Sequence, residues 1–442
     1  MPGSAHIDTF ALDHLPAKET WPAFFFGAHV PEYPQHLNAA VVLLDGLIKA
    51  GKGDRPAIRM ASTVWSYKQL NIASNKIAAV LVEDYGLIPG MRVLLRGNNT
   101  PMLVALWYGV LKAGGIAVTT MTMLRQKELD PMFDVAKINI AIIEAGLPID
   151  VVETCRDKAK HVFTFGNDDA DMEKAMAGKG KTFTAVETAS DDVALLAFTS
   201  GTTGIPKATM HFHRDILAMA DSFAKYILEP KETDIFCGSP PLAFTFGLGG
   251  LLVFPARFGA CVVFLEGAGP SAIIDAIEKH KVTTLFTAPT AYKTIPDHIK
   301  GRDISSLKTC VSAGENLPLS VSDAFFNATG IRLIDGIGAT EMIHVFISAS
   351  GDQIKPGSTG KVVPGYEAEI WDENNNPVPA NTAGRLVVKG PTGCRYLYGD
   401  RQETYVINGW NVTGDIFKKD EQGYFWFIAR GEIGRASCRE RV

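Results

Sequence analysis

Basic residues are too few to give this chain a cationic face. Lys plus Arg number 43 against 48 Asp plus Glu, a net charge of -5 over 442 residues. That balance excludes nucleic-acid and anionic-membrane binders, which work through a basic surface. Cysteine is also scarce. The six, at 155, 237, 261, 310, 394 and 438, form no C-x-x-C pair and no regular spacing. A disulfide framework and a cysteine zinc site are thereby excluded, and the thiols read as reduced groups of a cytoplasmic protein. The start, MPGSAHIDTF, has neither a basic n-region nor an apolar h-region, so no secretory signal is expected. The longest uncharged run, between Asp234 and Arg257, is long enough to cross a bilayer. Pro240, Pro241, Gly247, Gly249, Gly250 and Pro255 interrupt it, so it reads as buried strand, loop and short helix. There is no internal repeat. His211 and His213 form an H-x-H without a visible third ligand, and read as strand or turn histidines. Met121, Met123 and Met132 read as core filler.

What is present is core material. Hydrophobic residues make up 46% and charged residues 21%, and the length suggests about three compact units. Helical spacing over 37–50 and 68–85 alternates with strand-like 64–67, 92–95, 116–119 and 138–144, and 101–113 is a helix opened by Pro101 and closed by Gly114-Gly115. After a polar stretch, 166–181, read as a surface connection, the rhythm returns. Strands are expected at 193–198, 282–287, 307–312 and 331–334, with a helix at 271–280. Such alternation predicts α/β lobes with mostly parallel sheets. From about Gly360 strand-like pieces (368–371, 384–389, 424–428) are separated by turns, which predicts a small antiparallel sheet or barrel. The expected division is a first α/β lobe over 1–190, a second over 191–359, a β subdomain over 360–431, and a non-native tail over 432–442. That tail has three arginines in its last eight residues and no apolar periodicity.

One loop carries most of the chemistry. Phe198-Thr199-Ser200-Gly201-Thr202-Thr203-Gly204-Ile205-Pro206-Lys207 follows a buried strand and offers four hydroxyls, two glycines and one lysine. N–H and O–H donors can wrap phosphate oxygens while Lys207 supplies charge. It is not a Walker A loop, because Pro206 precedes the lysine and Ala208 follows it.

T-S-G-T-T-G-x-P-K resembles the phosphate loop of the adenylate-forming superfamily, which includes acyl-CoA synthetases, peptide-synthetase adenylation domains and firefly luciferase. Ala208 stands where that family often has Gly. Three further segments follow in the family's order. Ser312-Ala313-Gly314-Glu315 resembles its A-G-E turn beside adenine. Asp335-Gly336-Ile337-Gly338-Ala339-Thr340-Glu341 resembles its Y-G-x-T-E. Thr413-Gly414-Asp415 resembles its ribose-binding T-G-D, and Arg430 falls where the family has a ribose-contacting arginine. The resemblance implies an acetyl-CoA synthetase-like large domain: two stacked α/β lobes and a small β-barrel-like subdomain. It implies ATP and Mg²⁺, with coenzyme A as co-substrate. A carboxylate attacking the α-phosphorus of ATP brings anion to anion, so the site must neutralise and position charge. Lys207 supplies a cation, Glu341 a hard oxygen for Mg²⁺, and Thr340 a hydroxyl for the α-phosphate. Asp415 can accept both ribose hydroxyls. Ile337 replaces the usual aromatic, so adenine is expected on an aliphatic face with Phe427 opposite.

The DGIG-x-TEM-x-H form, SAGENLP and the N-terminal stretch resemble the benzoate-CoA and 2-aminobenzoate-CoA ligase branch. By position in that branch, the acid pocket comprises Thr245, Phe246, Ala313, Gly338, His344 and Val345. That set suits a flat aromatic ring stacked on Phe246, with His344 bonding an ortho substituent or the carboxylate. The reading favours 2-aminobenzoate, then benzoate. The alternatives are an adenylation domain that loads a carrier protein and a non-catalytic nucleotide-binding module. The family's C-terminal lid domain, with its lysine, is not expected within these residues, so the chain should bind substrates and turn them over poorly.

Overall fold

The computed structural model describes residues 3–61, 63–199, 206–399 and 401–431. The strand–helix alternation becomes two parallel-rich sheets. The first has six strands in the order His161–Phe165, Ile140–Glu144, Arg92–Arg96, Ile116–Thr120, Val193–Thr199 and Lys207–Phe212. Only its last pair is antiparallel. Arg92–Arg96 is buried at every position. Val93 and Leu95 enter one core and Leu94 another, as expected of a sheet covered on both faces. One cover is the helix pair Tyr67–Ala79 and Pro101–Lys112. Ser66 and Gln69 cap the first reciprocally, and Thr100 caps the second just ahead of Pro101. They approach so closely that a Cβ on Gly109 would lie 2.6 Å from Ile77.

The second sheet has nine strands, in the order Lys361–Val362, Val345–Ser348, Ile334–Gly338, Thr309–Ser312, Thr284–Thr287, Ile235–Gly238, Cys261–Val263, Pro56–Met60 and Thr63–Ser66. Its interior is parallel and its edges antiparallel. The two sheets exchange segments. Pro56–Met60 pairs with Cys261–Val263, and Val193–Thr199 pairs with Ile116–Thr120. The expected boundary at residue 190 therefore does not separate the sheets. Hydrophobic pattern places a strand in a sheet but does not say which one.

The last sheet is antiparallel and open. Glu367–Trp371, Ala383–Lys389, Trp410–Lys419 and Val406–Ile407 follow in order, and Phe425–Arg430 also pairs with Trp410–Lys419. No barrel closes among the described residues. Three local expectations change. The polar connection at 166–181 contains the helix Asp171–Ala177, which buries Met172 and Met176. The strand expected at 331–334 runs instead from Ile334 to Gly338. Met132 is core, but Met123 is 80% exposed. Among the described residues no helix is long and apolar enough to cross a membrane.

Candidate active site

A cavity of about 790 Å³ opens where the three sheets meet. One wall is built on a pair of antiparallel strands. Val193–Thr199 and Lys207–Phe212 are antiparallel, with Thr199 opposite Lys207, so the two ends of the hydroxyl-rich strap are neighbours. Thr199 lines the cavity. Ser200, Gly201, Thr202, Thr203 and Gly204 lie outside the described residues. Lys207 stands close enough to Glu341 and Arg401 to feel both charges. Burial first, then Arg401, holds its ammonium below the usual lysine range, against the pull of Glu341.

The next wall is the connection between Ile334–Gly338 and Val345–Ser348, which carries Thr340, Glu341 and His344. Gly338 is required where this hairpin closes, because a Cβ there would lie 2.7 Å from the His344 carbonyl oxygen. The connection is fixed from behind. His211 Nε2 lies 2.8 Å from the Thr340 carbonyl oxygen. A carbonyl only accepts, so Nε2 carries the proton. Burial holds this imidazole neutral, near a pKa of about 4. Asp215 and Arg395, both fully buried, form an ion pair behind it, with Asp215 Oδ2 3.9 Å from His211 Nδ1. Tyr396 donates its hydroxyl to Glu341 Oε1 at 2.5 Å. Glu341 Oε2 has no hydrogen-bond partner among the described residues.

Opposite lies the strand Trp410–Lys419, which brings Thr413, Gly414 and Asp415 to the cavity. Asp415 is in register with Arg430, whose guanidinium is 3.8 Å away and 81% exposed. Burial raises the Asp415 carboxyl above the usual range; Arg430 opposes that and Glu341 reinforces it. The fourth wall holds Thr245, Phe246, Ala313, Gly338, His344 and Val345. Thr245 and Phe246 sit on the short helix Thr245–Leu248. The loop before that helix is tied to the first lobe: Asn99 donates to the Pro240 carbonyl at 3.0 Å and accepts from the Leu242 N–H at 2.8 Å. His344 is 3% exposed, and among the described residues neither ring nitrogen makes a well-formed hydrogen bond, although the Phe246 backbone lies close enough to pull its pKa up against burial. Phe254, Phe223 and Phe246 surround it at 4.7, 5.3 and 5.9 Å between ring centres. Burial pushes its pKa down to about 3.

The structure thus brings Thr199, Ala313, Gly314, Glu315, Gly338, Thr340, Glu341, His344, Val345, Thr245, Phe246, Asp415 and Arg430 to one cavity. It does not bring five others there. Lys207 is not among the residues that line the cavity, although it sits at the foot of the strand pair opposite Thr199. Ile337 and Phe427 pack against the main core, Phe427 edge-on to Phe417, and Gly336 lies against Val345. Asp335 lines a separate crevice of about 20 Å³ with Asn316 and Thr359, and burial raises its carboxyl to about 7. Sequence reasoning missed Arg401, Tyr405 and Tyr396. The first two line the cavity and the third holds Glu341. They belong to a stretch without a recognised motif, and only the pairing of sheets reveals where it goes.

Comparison with known proteins fits this geometry. Benzoate–CoA ligase of Thauera aromatica is 29% identical over 413 residues, which cover 90% of this chain and 77% of that protein. The structure of the anthranilate CoA ligase AuaEII in complex with anthranoyl-AMP superposes with a TM-score of 0.85 at 30% identity, covering 90% of this chain and 79% of the other. A benzoate CoA ligase from Burkholderia xenovorans LB400 superposes with a TM-score of 0.82 at 26% identity, covering 89% and 80%. The family model described as AMP-binding enzyme matches residues 48–398. That match takes in every wall of the cavity up to Tyr396, leaving out only the Arg401–Arg430 side, and on it this chain belongs to the AMP-binding enzyme family.

Proposed function

We propose that this chain is the large domain of an AMP-forming aryl-CoA ligase, and that its acid is 2-aminobenzoate in preference to benzoate. One observation supports the reading: a polar wall with Thr340, Glu341 and Asp415 and an apolar, ring-lined wall share a single cavity, with an imidazole that is unpartnered among the described residues on the ring-lined side. The likeness to an anthranilate CoA ligase and to two benzoate CoA ligases supports the substrate class.

In this reading an aryl carboxylate oxygen attacks the α-phosphorus of ATP and pyrophosphate leaves; the thiol of coenzyme A then attacks the acyl carbon and AMP leaves. The chain's own residues neutralise and position. Lys207 and the strap hold the phosphates, Thr340 donates to the α-phosphate, and Asp415 accepts the ribose hydroxyls. Phe246 stacks on the aromatic ring, and His344 meets its ortho amino group. Glu341, held at Oε1 by Tyr396, would hold a magnesium ion through its other carboxylate oxygen. When bound, that ion neutralises phosphate charge.

Thermal denaturation of the chain with aromatic acids, with and without MgATP, tests the proposal. The melting temperature should rise with 2-aminobenzoate more than with benzoate, and further when MgATP is added. A shift with MgATP that no aromatic acid alters would instead indicate a nucleotide-binding module and overturn the ligase reading.

A further inference from the structure

The connection Thr340–His344 holds one backbone conformation that its sequence disfavours. Ile343 has φ +64° and ψ −34°. For a β-branched residue this is a true outlier, since the branched Cβ crowds its own backbone at positive φ. The residue is fully buried. Left alone, it would relax to negative φ and rotate the peptide planes on either side. Those planes join it to Met342, which follows Glu341, and to His344.

Hydrogen bonds from outside the connection oppose that relaxation. His211 holds the Thr340 carbonyl and Tyr396 holds the Glu341 carboxylate. Between them, Thr392 Oγ1 donates to the Met342 carbonyl at 2.8 Å. A threonine hydroxyl has one proton, and here it goes to Met342, so the 2.9 Å contact between Thr392 and Tyr366 has the tyrosine as donor. Thr392 is fully buried and Tyr366 nearly so. Gly390 admits the tyrosine ring, for a Cβ there would lie 2.4 Å from it. The clamp reaches the carbonyl of the residue next to the strained one.

We propose that Thr392, seated by Tyr366, is a positioning residue that holds the Ile343 turn in its strained form and so sets Glu341 and His344 together, making the nucleotide wall and the acid wall one rigid unit. This rests on the reading of the cavity as a site for MgATP and an aromatic acid. Thr392 touches neither ligand in that reading, since it does not line the cavity.

The test uses the full chain and isothermal titration with MgATP and, separately, with 2-aminobenzoate. Thr392→Val keeps the side-chain shape and removes the donor. It should weaken both ligands about tenfold, as should Tyr366→Phe to a smaller degree. Adding Ile343→Gly to Thr392→Val supplies a residue that accepts positive φ without a clamp. It should recover at least half of the lost affinity on a logarithmic scale, even if its melting temperature stays below that of the parent. A purely structural Thr392 would lower melting temperature alone, and the folded fraction would bind both ligands normally. That outcome, or a double variant that binds no better than Thr392→Val, overturns the clamp while leaving the ligase reading intact. If the unaltered chain binds neither ligand, the ligase reading falls and the clamp falls with it.

Discussion

Replacing His344 by leucine should separate two substrates that differ by one amino group. The imidazole is 3% exposed, has no well-formed hydrogen bond to either nitrogen among the described residues, and sits among Phe223, Phe246 and Phe254. Its desolvation is therefore already suffered in the free protein. A ligand group that bonds it recovers about 1–3 kcal/mol, the cost of an unsatisfied buried polar group. In affinity that is about 5- to 150-fold. Benzoate has no ortho donor and gains nothing from the bond, so the preference for 2-aminobenzoate over benzoate should fall by that factor in His344→Leu. The same variant replaces an orphaned imidazole with an apolar group of similar bulk. It should be as stable as the parent or more so, by about 1 kcal/mol. Titration calorimetry with both acids gives the ratio, and urea unfolding gives the stability. Because burial holds the imidazole near a pKa of about 3, it is neutral throughout the physiological range and the ratio should not change with pH there. Equal acid preference in parent and variant, or a preference that titrates near the usual histidine pKa, would refute the reasoning.

Three other outcomes follow from the same geometry. Burial raises the Asp335 carboxyl to about 7, so its stabilising contribution is complete below the ordinary aspartate range and is lost as pH rises through about 7. Relative to Asp335→Asn, the parent should lose about 2.5 kcal/mol between about pH 5 and about pH 8; parallel denaturation profiles for the two proteins would count against it. Arg395→Met leaves the buried Asp215 charge without its partner, and unfolding should become easier by about 3–5 kcal/mol, whereas the double change with Asp215→Leu should cost much less. If the double variant is as unstable as the single one, the ion pair is not the cause. In Gly249→Ala the new methyl would lie 2.4 Å from the His344 ring, which must then tilt into the cavity. Affinity for the aromatic acid should drop severalfold with MgATP affinity unchanged, and an equal loss of both would show that the whole site had shifted.

The parts of this site that were legible in the sequence are those where chemistry and local geometry coincide. Thr340-Glu341 and Thr413-Gly414-Asp415 keep their spacing because each short segment lies within one turn or one strand, and both reach the cavity. Phe246 and His344 were legible as a pair only through a resemblance, since they lie on separate elements far apart in the chain. The adenine expectation has a different fate. Gly338 lines the cavity and Ile337 turns to the core, at a point where the register of the strand shifts between the two. What no local pattern could give is the support behind the walls. His211 was read as a strand histidine and is one, yet its nitrogen holds Thr340 across 129 positions of sequence. Tyr396 holds Glu341 across 55 and Thr392 holds Met342 across 50. Those bonds exist because the six-stranded sheet ends in an antiparallel pair, set against the segment that leaves Ala383–Lys389. Reactive side chains can be found by their type. The residues that aim them are ordinary His, Tyr and Thr, and they become functional only through the order in which strands are paired.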